Sequence, residues 1–279
     1  MSTPAGVDLS GKVAIVTGAA SPGGVGAETA RALAQAGAAV IVADLGGTQL
    51  EPTAAALAAE GLNVVSMVAD IGDEKSIERL IAFSRQKFGR LDILDNNAAS
   101  QGQPEDRLVD AMDADLWDRI MRVNARGTML MCKHALPLMI AGGGGSIINI
   151  SSGTSMAGDM FATAYACSKG AINTLTRYIA TQYGAQGIRC NALILGLIGT
   201  PILEASLPPP IREVFRQNKL VQRLGKPLDI ARMVAFLASE HTSFITGQLL
   251  PIDGGFFAHT PTTVAVGELI ARMQPPKAS

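Results

Sequence analysis

Short β-branched runs alternate with longer Ala- and Leu-rich stretches along the chain. Lys12–Thr17 (KVAIVT), Ala39–Ala43 (AVIVA), Asn63–Val68, Leu91–Asp95, Gly145–Ile150 (GSIINI), Ile188–Leu193 and Gln248–Ile252 read as strands. Between them, Ala27–Ala36, Thr48–Glu60, Asp73–Phe88, Asp113–Met139, Ala162–Tyr183 and Leu228–Ser239 read as helices. Strands this apolar must be covered on both faces, and helical spacers suit right-handed crossovers. The pattern therefore predicts an α/β fold, a doubly wound parallel sheet of Rossmann-like type in three α/β/α layers. Pro201–Leu224, which contains Pro208-Pro209-Pro210, breaks the alternation and is expected to be an irregular covering lid. Phe256–Ser279 is expected to be a tail, loosely held or used as an oligomer contact. With no internal repeat and no break in composition, residues 1–279 read as one domain with its core over 9–255.

Composition narrows the classes. With 48% hydrophobic and 17% charged residues, the chain can bury a sizeable core. A net charge of −1 supplies no basic excess, which argues against a nucleic-acid partner. Met1–Lys12 lacks the cationic start and apolar run of a secretory signal. Ala192–Leu203 is interrupted by Gly and Pro and is too short for a membrane span. Cys132, Cys167 and Cys190 are odd in number and form no CxxC, which fits reduced thiols in a cytoplasmic protein. His134, His241 and His259 have no metal-ligand spacing, so no metal is expected.

Two clusters carry candidate chemistry. The first strand runs into Thr17-Gly18-Ala19-Ala20-Ser21-Pro22-Gly23-Gly24-Val25-Gly26. Glycines let the backbone approach a ligand closely, and the helix that follows offers free N–H groups and a positive dipole end to a pyrophosphate. Asp44 lies at the tip of the second strand, next to Leu45, and its carboxylate can accept hydrogen bonds from adenosine ribose hydroxyls. It would repel a 2′-phosphate, and no Lys or Arg sits in the loop or just after Asp44, so NAD is expected rather than NADP. In the second cluster, Tyr165 and Lys169 stand four apart on one helix and face the same way. A nearby ammonium favours a phenolate, and lowering a phenol pKa by ~3 takes about 4 kcal/mol of differential interaction. Ser152, after the fifth strand, brings a hydroxyl to the same edge of the sheet.

At these residues the chain resembles the short-chain dehydrogenase/reductase family, in its single-domain branch, from about Leu9 to Gly255. The Thr17-Gly18 to Gly24-Val25-Gly26 loop is similar to the family's nucleotide loop, and Asn96-Asn97-Ala98-Ala99 to its turn after the fourth strand. Asn124, Ser152, Tyr165 and Lys169 match its catalytic tetrad, while Arg223–Asp229 and Ile252-Asp253-Gly254-Gly255 resemble its C-terminal signatures. The resemblance implies hydride transfer between a secondary alcohol and a ketone. Tyr165 would be acid/base, Lys169 would lower the tyrosine pKa and hold a ribose, and Ser152 would bond the reacting oxygen. Asn124, in a helix distortion, would support a water leading from Lys169. Gly18, Gly24, Val25, Gly26, Asp44 and Leu45 would meet the dinucleotide, with Asp70 and Ile71 flanking the adenine. Asn97 and Ala98 would lie on the adenosine side, and Ile198 and Thr200 at the carboxamide. A homotetramer is implied as well.

Three departures from the pattern bear on geometry. The nucleotide loop is two residues longer, with Pro22-Gly23; Ala99 replaces a glycine; and Leu195-Gly196 stands where Pro-Gly is usual. Met156, Met160, Phe161, Leu195, Leu203 and Leu207 make an expected pocket wall without a cation. It would suit an apolar substrate such as a steroid, a terpenoid or an aromatic-degradation intermediate. Sugar epimerases space the glycine loop differently, and enoyl reductases space Tyr and Lys more widely. A non-catalytic NAD(H)-sensing or scaffold protein on the same fold is the rival from another class.

Overall fold

The computed structural model describes residues 6–102 and 105–273. Seven strands form one sheet: β1 (Val13–Thr17), β2 (Ala39–Asp44), β3 (Val64–Val68), β4 (Ile93–Asn96), β5 (Gly145–Ser152), β6 (Ile188–Leu195) and β7 (Leu249–Ile252). Their order is β3-β2-β1-β4-β5-β6-β7, and every neighbouring pair is parallel. The winding reverses between β1 and β4, which opens a crevice at the carboxyl ends of those two strands.

Alternation along each strand sends side chains into two cores. From β1 and β2, Ala14, Val16, Val40 and Val42 join α1 (Val25–Gln35) and α9 (Pro227–Ala238) on one face. Ile15, Ile41 and Ala43 point to the other face, to α3 (Glu74–Phe88), α5 (Gly127–Ala141) and α6 (Thr163–Tyr183). α2 (Leu50–Ala59) lies beside β2 and β3. The buried Asp92 carboxylate accepts from Val13 N–H at 2.9 Å and from the Arg90 guanidinium, fixing the start of β4 to β1. No described helix is long and apolar enough to cross a membrane.

The doubly wound parallel sheet is as the sequence pattern predicts, with three local differences. The single helix expected over Asp113–Met139 is α4 (Ala114–Met121), a π-helical turn over Arg122–Arg126, and α5. The Pro201–Leu224 stretch is not irregular throughout; it holds α7 (Pro201–Ser206) and α8 (Pro209–Gln217), each with proline in its first turn, where a missing N–H costs nothing. Part of the expected tail forms α10 (Thr263–Met273), and residues 274–279 lie outside the described residues, as do residues 1–5 of the segment read for a signal.

Candidate active site

The nucleotide end is built on tight backbone packing. Gly18 has φ +68, and a Cβ there would lie 2.7 Å from the Ala98 Cα. A Cβ on Gly26 would collide with the Gly18 carbonyl oxygen and sit 2.7 Å from the Asn97 amide nitrogen. That amide donates to the carbonyls of Thr17 (2.9 Å) and Gly18 (3.0 Å), while Asn97 N–H and Ala98 N–H both donate to the Thr17 hydroxyl. Asn97 thus shapes the loop with its side chain. Gly24 precedes α1 with no side-chain cap, so the helix's first N–H groups face the crevice free for an anion. This uncapped end fits a dinucleotide pyrophosphate.

The two extra loop residues form a turn of their own. Gly24 N–H donates to Ser21 C=O at 2.9 Å across Pro22-Gly23, with φ +69 at Gly23. Proline second and a positive-φ glycine third are what a type II turn requires. A Cβ on Gly23 would lie 3.3 Å from the Pro201 ring, so the turn reaches the first residue of α7. Ala99 does not adopt a positive φ, so the missing glycine there carries no strain. Leu195-Gly196 stays with the sheet, Gly196 N–H donating to Ile252 C=O at 3.1 Å.

Asp44 also holds the loop. Its carboxylate accepts from Ala20 N–H (2.9 Å) and from Leu45 N–H (2.8 Å), leaving lone pairs for a ligand. Leu45 is exposed beside it. The nearest cation of α1 in sequence, Arg31, is paired with Glu60. Asp70 is exposed at the end of β3, where it accepts from Gly72 N–H, whereas Ile71 is buried in the core. Ile198 is buried and bridges to Gly225, and the Thr200 hydroxyl caps α7 by accepting from Leu203 N–H.

At the other end of the crevice, Ser152 closes β5 and is paired in register with Leu195. Its hydroxyl accepts from Thr154 N–H (3.3 Å) and from the Thr154 hydroxyl (3.0 Å). Lys169 is 1% exposed; its Nζ donates to Ile150 C=O at 2.7 Å and stands 5.4 Å from the centre of the Tyr165 ring. Tyr165 keeps part of its surface in solvent. The structure therefore brings Ser152, Tyr165 and Lys169 together. It does not join Asn124 to Lys169 directly. Asn124, fully buried in the π-helical turn, accepts from Ser100 N–H (2.7 Å) and donates to Ser100 C=O and to the Ser168 hydroxyl.

The expected drop in the tyrosine pKa is not the balance found. Burial pushes the Tyr165 phenol up to about 12, opposed in part by a hydrogen bond from Ser152. Burial also pushes the Lys169 ammonium down to about 8. The Lys169 ammonium donates to the Ile150 carbonyl, and removal from water penalises the ionised form of each group.

Two groups at this end escaped the sequence reading. Asp106, 1% exposed, accepts from Ala164 N–H and Tyr165 N–H, both at 2.9 Å, and so caps α6 from 58 and 59 residues away. Ala162, which precedes the helix, has φ 64 and offers no side-chain cap. Ser168 donates to Tyr165 C=O at 2.6 Å and receives the Asn124 amide. Its position inside Tyr-Ala-Cys-Ser-Lys was the available signal; nothing local pointed to Asp106.

The family model described as enoyl-(acyl carrier protein) reductase matches residues 18–257. A Bradyrhizobium diazoefficiens relative described as a short-chain type dehydrogenase/reductase is 44% identical over 90% of this chain and 89% of its own. A 7alpha-hydroxysteroid dehydrogenase of Bacteroides fragilis is 37% identical over 90% of this chain and 96% of its own. The crystal structure of a gluconate 5-dehydrogenase from Burkholderia cenocepacia, in complex with NADP and tartrate, superposes with a TM-score of 0.85. That protein is 30% identical, over 91% of this chain and 98% of the other. The chain belongs to the short-chain dehydrogenase/reductase family. It is an oxidoreductase of the kind that acts on CH–OH groups with a nicotinamide cofactor.

Proposed function

We propose that this protein interconverts a secondary alcohol and its ketone with NAD(H), Tyr165 exchanging the hydroxyl proton. The observation that carries the reading is the convergence of Ser152, Tyr165 and Lys169 at the carboxyl edge of β5, next to the crevice with the uncapped helix α1. The dinucleotide, when bound, supplies the group that accepts or returns the hydride. The chain's own residues do the rest. Ser152 hydrogen-bonds the substrate oxygen, and its hydroxyl can donate there while still accepting from Thr154. Tyr165, held neutral by burial, donates a proton to a carbonyl oxygen in reduction and must first lose it in oxidation. Lys169 keeps its ammonium below about pH 8 and supplies positive charge beside the phenol. Oxidation should therefore accelerate as pH rises through neutrality, and reduction should not.

Asp44 supports NAD over NADP, because a carboxylate at the tip of β2 would accept from ribose hydroxyls and repel a 2′-phosphate, and the loop carries no cation to counter that. Among the expected pocket-wall residues, Met156, Met160 and Phe161 are exposed apolar groups on the β5–α6 connection, which favours an apolar alcohol of steroid, terpenoid or aromatic-degradation type. The name of the Bacteroides relative points to the same class. Pro201–Leu224 then serves as the lid. We assign the protein to the cytoplasm on its free cysteines, and to a homotetramer by family resemblance. Steady-state rates with NAD and NADP on a panel of secondary alcohols test the reading. Turnover with a marked NAD preference is expected. Tight NADH binding without turnover of any alcohol would replace it with the sensor reading.

A further inference from the structure

The segment after β7 is fixed in place rather than trailing. Asp253 is buried, and its carboxylate accepts from Gly255 N–H (2.8 Å) and from Phe257 N–H (3.0 Å). Gly254 and Gly255 turn the chain with φ +69 and +82, conformations that glycine adopts without strain. Behind this turn, Gly196 packs so close that a Cβ there would lie 2.8 Å from the Asp253 Cα. Lys219, buried just after α8, donates to Leu197 C=O at 2.9 Å and feels the Asp253 charge, so its ammonium is already engaged within the protein.

The turn delivers the Phe257 ring onto Gly153, the residue that directly follows Ser152. A Cβ on Gly153 would lie 2.5 Å from the ring edge of Phe257, so only glycine leaves room for it. Phe257 nevertheless stays 39% exposed, with one part of the ring uncovered by protein. Phe256 meets it edge-on, with ring centres 5.0 Å apart at 83°, and stacks on Phe215 of α8 at 5.9 Å and 30°. Three aromatic rings thus run from α8 to the Ser152 corner.

We infer that Phe257 is a specificity-determining residue: its uncovered ring is the wall beside Ser152 on which a flat alicyclic or aromatic ring of the substrate packs. The inference rests on the alcohol-oxidoreductase reading and names its substrate class as ring carbinols and ring ketones. An aromatic face in that position rewards a rigid apolar ring and gives nothing to a short flexible alcohol. The Phe215–Phe256 stack keeps the wall in register with α8.

The test is NAD-dependent oxidation of 2-butanol, cyclohexanol, 1-tetralol and a hydroxysteroid by the full chain and its variants. Phe257→Ala should raise KM for the ring alcohols about tenfold or more, with kcat and NADH affinity within about threefold and 2-butanol unaffected. Phe257→Leu should fall between. Gly153→Ala keeps every atom of Phe257 yet must push the ring aside, so it should reproduce the loss, and it should add little on top of Phe257→Ala. Gly153→Ala and Phe257→Leu decide the matter even where Phe257→Ala folds poorly. Equal changes for ring and open-chain alcohols, or no change in any variant, would overturn the inference while leaving the oxidoreductase reading intact. A parent protein that oxidises none of the four alcohols would refute that reading, and the inference with it.

Discussion

Asp95 sits in the middle of β4 with no solvent exposure, between Val16 of β1 and Ile148 of β5, and neither carboxyl oxygen has a hydrogen-bond partner. Burial alone raises its pKa from 3.8 to about 8. The folded protein therefore holds a proton between about pH 4 and pH 8 that the unfolded chain has released. The contribution is fully present below about pH 4 and is lost progressively as pH rises to the folded value near 8. At ~1.4 kcal/mol per pH unit the loss reaches about 4 kcal/mol at pH 7 and about 6 kcal/mol above pH 8. Asp95→Val replaces the acid with a β-branched side chain suited to a central strand, and Asp95→Asn removes the titration while keeping the polar shape. Urea denaturation at about pH 5, 7 and 9, at one protein concentration, reads the effect. Asp95→Val should be more stable than the parent by several kcal/mol at the upper pH, and the decline across this window should shrink in both variants. An unchanged pH slope, or a valine variant less stable than the parent at high pH, would refute the reasoning.

Other consequences follow from the site. Asp106→Ala leaves two buried N–H groups of α6 without an acceptor, so stability should fall by about 2 kcal/mol. Because the freed groups belong to Ala164 and Tyr165, kcat should drop with it while NADH affinity, measured by fluorescence, changes little; a loss confined to NADH affinity would contradict the cap. Gly26→Ala forces the nucleotide loop off the Gly18 carbonyl and the Asn97 amide. NADH binding should weaken about tenfold or more, which is about 1.4 kcal/mol, and an alanine variant with parent affinity would show that the loop yields without cost.

Much of this was legible because it is written in local pattern. The strands announce themselves by β-branched runs, and the glycine loop by its place between β1 and α1. Tyr165 and Lys169 are one helical turn apart, and Ser152 ends a strand that can only terminate at the ligand edge. What escaped depends on long-range geometry or on energetic balance. Asp106 caps a helix it does not adjoin, and Phe257 reaches Gly153 only through the turn that Asp253 fixes. The π-helical turn at Arg122–Arg126 leaves no periodic mark in so few residues, and only the family resemblance pointed to a helix distortion at Asn124. The helices α7 and α8 had a readable sign, Thr200 before Pro201 and a proline at the head of each, masked by the density of prolines. The direction of the Tyr165 shift turned on burial, which a spacing of four residues does not report.

The account stands or falls on the Tyr165 phenol as the group that exchanges the substrate proton. The most direct measurement is alcohol oxidation by Tyr165→Phe, with NADH affinity determined on the same sample. Turnover should fall by about a hundredfold to ten-thousandfold while NADH binds as in the parent protein. Parent-like turnover in the phenylalanine variant would contradict it.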